Sequence, residues 1–253
     1  MTAPHWPRPQ WKDSGAKAFY LWFVFGDFAD DFRIDAAQYR TRGTPAGVDV
    51  MRYEHAAIRA WDGYPLGGSM GTLFRSENES LFARALATRD CLMLRGEIAD
   101  PADLDGLRDL VGTITALGDL GGAAIVDPQM LSLFDPAEWR TRFFESGEFV
   151  SRDHIAILAS EDEGAYNRRW IHTRGLRKFA RPDIGIRNVP AEYAGHAGQL
   201  AERFADFQAL GGIVEEGREI VIDGSPANLR VHHAGSLDDP EFNNVHLAIR
   251  WPD

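Results

Sequence analysis

The chain has 253 residues, of which 44% are hydrophobic and 26% charged, and its 38 acidic against 27 basic residues give a formal net charge of −11. This composition is typical of a soluble globular protein with enough apolar residues for its own core. The acidic excess argues against nucleic acid as a partner, because phosphate contacts supply most non-specific affinity. It favours a protein partner that is itself basic.

The chain carries one cysteine, Cys91, in the apolar run 91–94. A single thiol excludes an internal disulfide and is typical of a reducing compartment. The first residues lack the apolar stretch that a secretory signal needs. The most apolar run, 18–25, is far shorter than the ~20 residues of a membrane-spanning helix. These features predict a cytoplasmic protein with no membrane contact.

The first half of the chain begins with strand patterns. Residues 1–16 hold Trp6 and Trp11 among prolines and predict an N-terminal arm, pinned in part by its indoles. Apolar stretches then predict three strands, at about 18–25, 48–60 and 89–97.

A helix is predicted to begin at Asp100-Pro101, with Asp100 as its N-cap. Apolar residues at spacings of three and four continue it: Leu104, Leu107, Val111, Ile114 and Leu117. Residues 123–127 then predict a buried strand. A short second helix begins at Asp135-Pro136, where Glu138 completes a capping box. Its buried face is predicted to comprise Trp139, Phe143 and Phe144.

The second half of the chain repeats this order of elements. A strand at 183–189 is followed by a helix that begins at Pro190, by two glycines and by a strand at 219–223. The apolar stripe of that helix is predicted to comprise Tyr193, Ala197, Leu200, Phe204 and Phe207. A terminal hairpin is predicted at 229–234 and 245–251.

Together these elements predict an α+β fold, with a largely antiparallel sheet backed by helices and two similar strand-helix-strand units. The predicted organisation is an arm at 1–16, a first α+β half at 17–150 and a second at 151–253. The two halves can also form one continuous domain.

Residues 67–71, Gly-Gly-Ser-Met-Gly, satisfy the G-x-S-x-G pattern of serine hydrolases. A nucleophile elbow requires a buried strand before the serine and a helix after it. Here an Asp-Gly pair and a proline precede Ser69, and residues 72–78 lack helical periodicity. We interpret the glycines as a sharp loop. The alternative is a serine hydrolase in which Ser69 works with a hairpin histidine: His232, His233 or His246.

These histidines also bear on metal binding. An antiparallel hairpin brings His246 opposite His233 or one residue away. Two imidazoles are too few for a structural zinc site, which would need a third ligand such as Asp238 or His172. We therefore expect neither a metal nor a cofactor.

Two aspartates, Asp127 and Asp223, end strands at equivalent positions of the two halves. Such a pair could act as catalytic carboxylates. Aspartates that begin turns are common at strand ends, and this interpretation is favoured.

The densest charge signal lies between residues 168 and 187, where seven basic residues accompany one acid, Asp183. A helical turn after Gly175 would point Leu176 and Phe179 inward. The same turn would leave four basic side chains facing outward: Arg174, Arg177, Lys178 and Arg181.

Three interpretations of this basic segment compete. Its side chains can pair with acidic residues of the same chain, such as those at 161–163. They can bind a phosphate or carboxylate, which suits the planar donor set of arginine. They can also form a protein-binding patch anchored by Arg and Trp. The candidate residues for anion or partner binding are Arg169, Trp170, His172, Arg174, Arg177, Lys178 and Arg181.

The stretch from Thr173 to Asp183 resembles the signature of a bacterial family known only as a domain of unknown function. In that family a Thr, a Gly, a Leu or Met, a Phe-Gly and a Pro-acid pair follow at this spacing. Here Ala180 stands where the family usually has Gly, and Asp183 where it usually has Glu. The resemblance covers about residues 120–252. It implies an α+β fold and a bacterial cytoplasmic setting, and it supplies no catalytic residue.

The leading prediction is a non-catalytic bacterial protein that binds another protein, of the immunity or secretion-accessory kind. It rests on the acidic composition, on the basic segment and on the lack of an assembled catalytic pattern in the sequence. The alternatives are a serine hydrolase that uses Ser69 and a small-anion-binding domain centred on the basic segment.

Overall fold

The computed structural model describes residues 3–163, 166–221, 229–239 and 241–252. The chain forms two compact units, each built around one β-sheet. The first unit comprises Met1–Pro7, Phe19–Ile98 and Asp103–Phe149, and the second comprises Arg8–Ala18, Ala99–Ala102 and Val150–Asp253. Both units combine helices with mainly antiparallel strands, which confirms the predicted α+β class.

Five strands form the first sheet: β1 (Lys17–Gly26), β2 (Val48–Glu54), β3 (Asp90–Ala99), β4 (Gly122–Asp127) and β5 (Ser132–Phe134). Their order across the sheet is β2-β3-β1-β4-β5. The pairs β2–β3, β1–β4 and β4–β5 are antiparallel. Because β5 has only three residues, β2 is the one long edge strand of this sheet.

Five α-helices accompany this sheet: α1 (His55–Ile58), α2 (Gly68–Glu77), α3 (Glu79–Leu86), α4 (Asp105–Asp119) and α5 (Pro136–Trp139). A π-helical turn, Arg140–Glu145, continues α5. The side chain of Asp135 caps α5 by accepting a hydrogen bond from the Ala137 amide at 2.8 Å. The predicted apolar stripe of α4 is buried, since Leu107, Val111 and Ile114 are at most 2% exposed.

Two predicted boundaries in this unit are wrong. The strand predicted at 48–60 ends at Glu54, where α1 begins. The helix predicted from Pro101 begins at Asp105, and Leu104 rather than Asp100 precedes it. Asp100 does not cap the helix because its carboxylate is engaged by two buried arginines, as described below.

Six strands form the second sheet: β6 (Ala156–Glu161), β7 (Arg168–Arg174), β8 (Asp183–Pro190), β9 (Glu219–Ile220), β10 (Leu229–Gly235) and β11 (Val245–Arg250). Their order is β6-β7-β8-β11-β10-β9. The pair β8–β11 is parallel, and the other four pairs are antiparallel. The predicted hairpin is therefore confirmed as β10–β11. The end of the strand predicted at 219–223, including Asp223, lies outside the described residues.

One helix, α6 (Ala194–Ala209), packs on β7 and β8 of the second sheet. It buries Ala197, Ala201 and Ala205, whereas Phe207 of the predicted stripe is 38% exposed. Of the other members of that stripe, Ala197 is fully buried and Tyr193, Leu200 and Phe204 are half-buried, so the prediction is confirmed in part. The helix contacts the sheet mainly through small side chains, which allow the two backbones to approach closely.

The N-terminal arm is fixed by different residues in its two parts. Trp6 is 2% exposed, and its Nε1 donates to the Gly147 carbonyl at 2.9 Å within the first unit. Trp11 is 38% exposed, so its indole contributes little. In the second unit the arm is instead held by Arg8, whose guanidinium is fully buried.

Candidate functional site

One face of the second sheet packs on α6, and no α-helix of the described residues packs on the other face. Residues that are paired across neighbouring strands share a face, so the register assigns the side chains. His172 is paired with Gly185, and Gly185 is paired with Ala248. The open face consequently carries Trp170, His172, Gly185, Arg187, His232, His246, Ala248 and Arg250, while Ile184, Ile186 and Leu247 are buried on the other face.

A pocket of about 200 Å³ lies on this open face. Its floor is formed by two small residues, Gly185 and Ala248, which are neighbours on the parallel strands β8 and β11. Trp170, Phe242 and Arg187 are among the larger side chains that surround the floor. A Cβ atom on Gly185 would lie only 3.1 Å from Phe242 Cζ and 3.3 Å from Trp170 Nε1. Glycine at this position therefore lets both rings lie close to the sheet.

Four rings pack against one another beside the floor. The ring centroids of Trp170 and His172 are 3.8 Å apart in a stacked arrangement, and those of Phe242 and His246 are 4.3 Å apart. Trp170 and Phe242 meet edge to face at 5.7 Å. Three buried ring nitrogens of this cluster have no hydrogen-bond partner among the described residues: Trp170 Nε1, His172 Nδ1 and His246 Nδ1. Buried polar atoms are normally paired, so these three nitrogens are exceptions among the described residues.

The guanidinium of Arg187 lies 4.1 Å from the centroid of the Trp170 ring, a cation–π geometry. It donates to Asp162 Oδ1 at 3.0 Å and to both carboxylate oxygens of Glu241 at 2.7 and 2.8 Å. These bonds hold the group in place and raise its pKa. Arg187 thus forms a rigid wall of the pocket.

Burial keeps the histidines of this cluster neutral. His172 is 6% exposed, and its burial, assisted by the nearby charge of Arg174, lowers its pKa to about 4. Burial also lowers the pKa of His246. The positive charge of the pocket at neutral pH therefore comes from its arginines.

Two of the basic residues expected to face outward are buried, and that expectation is corrected. Lys178 is fully buried, and its Nζ donates to the His154 carbonyl at 3.1 Å. Arg181 is 2% exposed and donates to Asp100 Oδ2 at 2.6 Å. Asp100 also accepts from Arg8 at 2.7 Å, so that one buried carboxylate holds two guanidinium groups.

Other members of the basic segment are also bonded within the second unit. Arg174 donates to the Glu241 carbonyl, and Arg177 donates to the Asn243 carbonyl at 3.1 Å. Arg169, which is about one-third exposed, lies 3.4 Å from Glu161. Arg187 and Asp162 form the pairing with the 161–163 acidic stretch that the first of the three interpretations describes. Much of the segment's charge is therefore met by groups of the same chain.

The stretch that carries the family resemblance forms a buried turn around Asp183. Its carboxylate accepts from Thr173 Oγ1 at 3.0 Å, from the Leu176 amide at 3.3 Å and from Asn244 Nδ2 at 2.9 Å. Full burial raises the pKa of Asp183 to about 6 despite these donors. Ala180 adopts a positive φ of 54°, which explains why glycine suits this position. Threonine, the acid and the glycine-like residue thus have a structural function here.

Ser69 is an exposed residue in the first turn of α2. A helix does follow the serine, so the expectation that residues 72–78 are not helical was wrong. The segment before it is made of turns rather than a strand, as predicted. Gly68 has a positive φ of 57°, and a Cβ on Gly71 would lie 2.2 Å from the Leu66 carbonyl oxygen. These two glycines are accounted for by local backbone geometry.

The hairpin register pairs His246 with Ala234 and His233 with Leu247, one residue from direct opposition. His233 therefore points to the opposite face from His246, and its Nε2 bonds to the Val214 carbonyl at 2.9 Å. His246 Nδ1 lies 3.8 Å from Asp239 Oδ2, beyond hydrogen-bonding distance. In the described part of the chain, three potential metal-ligating side chains converge at His5, Asp103 and Asp105.

Asp127 acts as a turn-starting residue. Its Oδ1 accepts from the amides of Gln129 at 3.0 Å and Met130 at 3.2 Å, and its Oδ2 accepts from Trp22 Nε1 at 2.9 Å. The favoured interpretation of this aspartate is confirmed.

Three residues that line the pocket were sequence candidates: Trp170 for binding, and His232 and His246 as hairpin histidines. The candidate His172 stacks on Trp170 but does not line the pocket. Gly185, Arg187, Phe242, Ala248 and Arg250 were not among the sequence candidates. One signal was available: Gly185-Ile186-Arg187 and Ala248-Ile249-Arg250 share a small-Ile-Arg pattern. The structure pairs these two triplets in parallel register. The pattern could not reveal this pairing, because the strands are far apart in the chain.

A second surface feature of this unit is the edge strand β6. The Asp162 amide donates to the Arg168 carbonyl at 3.1 Å, in the register of the antiparallel pair β6–β7. In such a pair every second residue bonds to the neighbouring strand, so the even-numbered residues of β6 bond to β7. The N–H and C=O groups of Ile157, Ala159 and Glu161 therefore point away from the sheet. Across the described ranges, no backbone group pairs with them. Ile157 is 38% exposed, so the edge is accessible.

Comparisons of the chain with protein-family models, with curated proteins and with solved structures found no match. Among the described residues, no helix combines the length and the apolar character that crossing a membrane requires.

Proposed function

We propose that this chain is a non-catalytic protein that binds another protein, and that its second unit docks the partner along β6. The observation that carries the proposal is the outer edge of β6, whose outward N–H and C=O groups have no backbone partner in the described part of the chain. Strand addition to an open edge is a common mode of recognition, because main-chain hydrogen bonds supply affinity.

The composition of β6 supports this function. Exposed edges are usually protected by Lys, Pro, a bulge or a covering element, because they otherwise pair with other chains. The six residues of β6, Ala-Ile-Leu-Ala-Ser-Glu, contain no Lys or Pro, and their one charge is the last residue. An edge with so little protection is suited to a partner strand.

The partner proposed is an extended segment of a basic protein. Three acids, 161–163, follow one another at the end of β6, and the chain as a whole has a net charge of −11. Within the unit Asp162 already pairs with Arg187, and Glu161 lies 3.4 Å from Arg169. A basic strand would therefore pair with the backbone of β6, and its attraction would come from the remaining acidic charge of the chain. A bacterial immunity or secretion-accessory function, in which a small acidic protein holds a basic one, would use such a surface.

The test uses two proline variants of the full-length chain. Ala159→Pro removes one outward N–H group of β6 and leaves the β6–β7 ladder intact. Val50→Pro is the matched control, because Val50 also has its N–H on the outer side of its edge strand, β2. Each protein is immobilised and exposed to a cytoplasmic extract of the native cell, and the bound proteins are quantified.

The proposal expects one stoichiometric protein to bind wild type and Val50→Pro and to be lost from Ala159→Pro. Equal binding to all three proteins, or no specific binding to any, would contradict it. Labelling of Ser69 by a fluorophosphonate would instead favour the serine hydrolase.

A further inference from the structure

The pocket on the open face of the second sheet combines features that point to a ligand. Its floor is lowered by Gly185 and Ala248, and its walls include the rings of Trp170 and Phe242. Ligand pockets are typically apolar with a few placed polar groups, and this pocket follows that pattern. None of the residues that line this pocket belongs to β6.

The size of the pocket restricts the ligand to a small one. Its volume is about 200 Å³. An apolar cavity of about 150 Å³ accommodates one benzene molecule. The pocket therefore admits a single aromatic ring with one small substituent. His172 and Arg187 cover the two faces of the Trp170 ring, and His246 stacks on Phe242. A planar ligand ring would therefore meet the edges of the indole and phenyl rings, in the edge-to-face arrangement that aromatic pairs favour.

The charge of the pocket selects an anionic substituent. Its lining includes two arginines, Arg187 and Arg250, and no carboxylate. Arg187 is neutralised by Asp162 and Glu241. Arg250 is exposed and forms no ion pair with a described residue. Among the described residues the Arg250 guanidinium thus has no carboxylate partner, and its donor geometry matches a carboxylate.

A further polar group beside the floor is the indole N–H of Trp170. This atom is buried beside the Gly185 floor and has no hydrogen-bond partner in the described ranges.

We propose that this pocket binds a planar aromatic carboxylate, with the ring against Trp170 and Phe242 and the carboxylate at Arg250. The same chemistry occurs in a free aromatic acid and in the C-terminal aromatic residue of a partner protein.

The test is a fluorine NMR titration of the full-length protein with para-fluorobenzoate. We expect saturable binding with a dissociation constant on the order of 1 mM, which is ordinary for so small a ligand. The uncharged para-fluorobenzamide should bind more weakly, because it lacks the carboxylate.

Three variants test the individual contacts. Ala248→Leu fills the floor and should weaken binding at least ~10-fold, since the ring loses its space. Arg250→Gln should weaken binding ~3–5-fold, as expected for an exposed ion pair. Arg230→Gln is the matched control, because Arg230 is an exposed arginine of the neighbouring strand β10 that does not line the pocket. It should bind like wild type.

The source of the carboxylate is distinguished by a peptide that ends in Phe with a free carboxylate, compared with its C-terminal amide. Tighter binding of the free peptide than of para-fluorobenzoate assigns the site to a partner's C-terminus. Equal or weaker binding assigns it to a small acid.

The proposal is overturned if wild type shows saturable binding neither of para-fluorobenzoate nor of the peptide that ends in Phe with a free carboxylate. It is also overturned if Arg250→Gln binds as wild type does, a result that does not depend on whether Ala248→Leu folds. Ala159→Pro should bind para-fluorobenzoate normally, so the two proposals can fail separately.

Discussion

The two sheets differ in the number of charged side chains on their long edge strands, β2 and β6. Strand β2 carries Asp49, Arg52 and Glu54 within its seven residues. Arg52 is fixed there by Asp90 on the neighbouring strand, at 3.0 Å. Charged side chains of this kind hinder pairing with another chain. Strand β6 has a single charge at its end, so its edge has almost no such protection.

Strand β6 itself contains no arginine, and several arginines of the second unit are held by acidic side chains of the same unit. Arg8 and Arg181 are buried on Asp100, and Arg187 is held by Asp162 and Glu241. A segment with many basic residues thus produced internal ion pairs and the wall of a pocket rather than a basic surface. The charge density of a sequence therefore does not predict the charge of the surface, because the direction of each side chain decides it.

The largest effect is expected from removing the charge that holds the buried arginines. Asp100→Asn leaves two buried guanidinium groups without a carboxylate and should lower the free energy of unfolding by about 3–5 kcal/mol. In the first unit, Asp135→Asn breaks the more exposed pair with Arg84 and should cost less than about 1 kcal/mol, since Asn also caps a helix. Urea unfolding measures both. Similar losses of unfolding free energy for the two variants would show that Asp100 contributes no more to stability than an exposed ion pair does.

A smaller effect is expected from pH. The pKa of His172 is lowered to about 4, so the unfolded chain, with a pKa near 6.5, takes up the proton first. The contribution of His172 to the free energy of unfolding is therefore complete above about pH 6.5 and is lost as the pH falls toward 4. Between pH 7 and 4.5 it should amount to about 2–3 kcal/mol.

The measurement compares urea unfolding of wild type and His172→Gln at both pH values, because carboxylates also titrate in this range and the difference isolates the imidazole. His55 in the first unit can be compared with His172, because burial lowers the pKa of both imidazoles. Its two ring nitrogens are hydrogen-bonded, at 3.0 Å to the Thr88 carbonyl and 2.6 Å to Tyr64. Parallel pH curves for wild type and His172→Gln would refute the prediction.

The backbone alternation of β6 is tested by moving proline along the strand. Ser160→Pro removes an N–H group that points toward β7 and should cost about 1–3 kcal/mol, the value for an unsatisfied buried acceptor. Ala159→Pro removes an outward N–H and should cost less than about 1 kcal/mol. Thermal unfolding distinguishes the two. The opposite ranking would mean that the outward groups are those of the even-numbered residues.

The smallest effect on stability is expected from adding a charged side chain to the outer edge of β6. Ala159→Lys places a charge on β6 of the kind that β2 already has, and it should change stability by less than about 0.5 kcal/mol. It should nevertheless reduce self-association at high concentration, measured by light scattering. Gln199→Lys, an exposed position on α6, adds the same charge away from the edge. Equal effects of the two lysines would attribute the change to net charge alone.

The sequence was most informative where a pattern is local. The alternation and turn residues of 229–251 predicted the hairpin β10–β11, and the spacing of Leu107, Val111 and Ile114 predicted the buried face of α4. These patterns reflect the repeat of the backbone itself, which is the same in any tertiary context. The function of Asp100 was not predictable in this way, because Arg8 and Arg181 are distant from it in sequence.

By itself the sequence determined the α+β class, most strands and the absence of an internal disulfide, because these depend on periodicity and composition. Only the tertiary structure decided which arginines are buried, which face of the second sheet is open and which strand forms its edge. Each of these depends on pairing between distant segments, such as Gly185 with Ala248. The free energy of such a pairing belongs to two strands together, and neither strand reveals it alone.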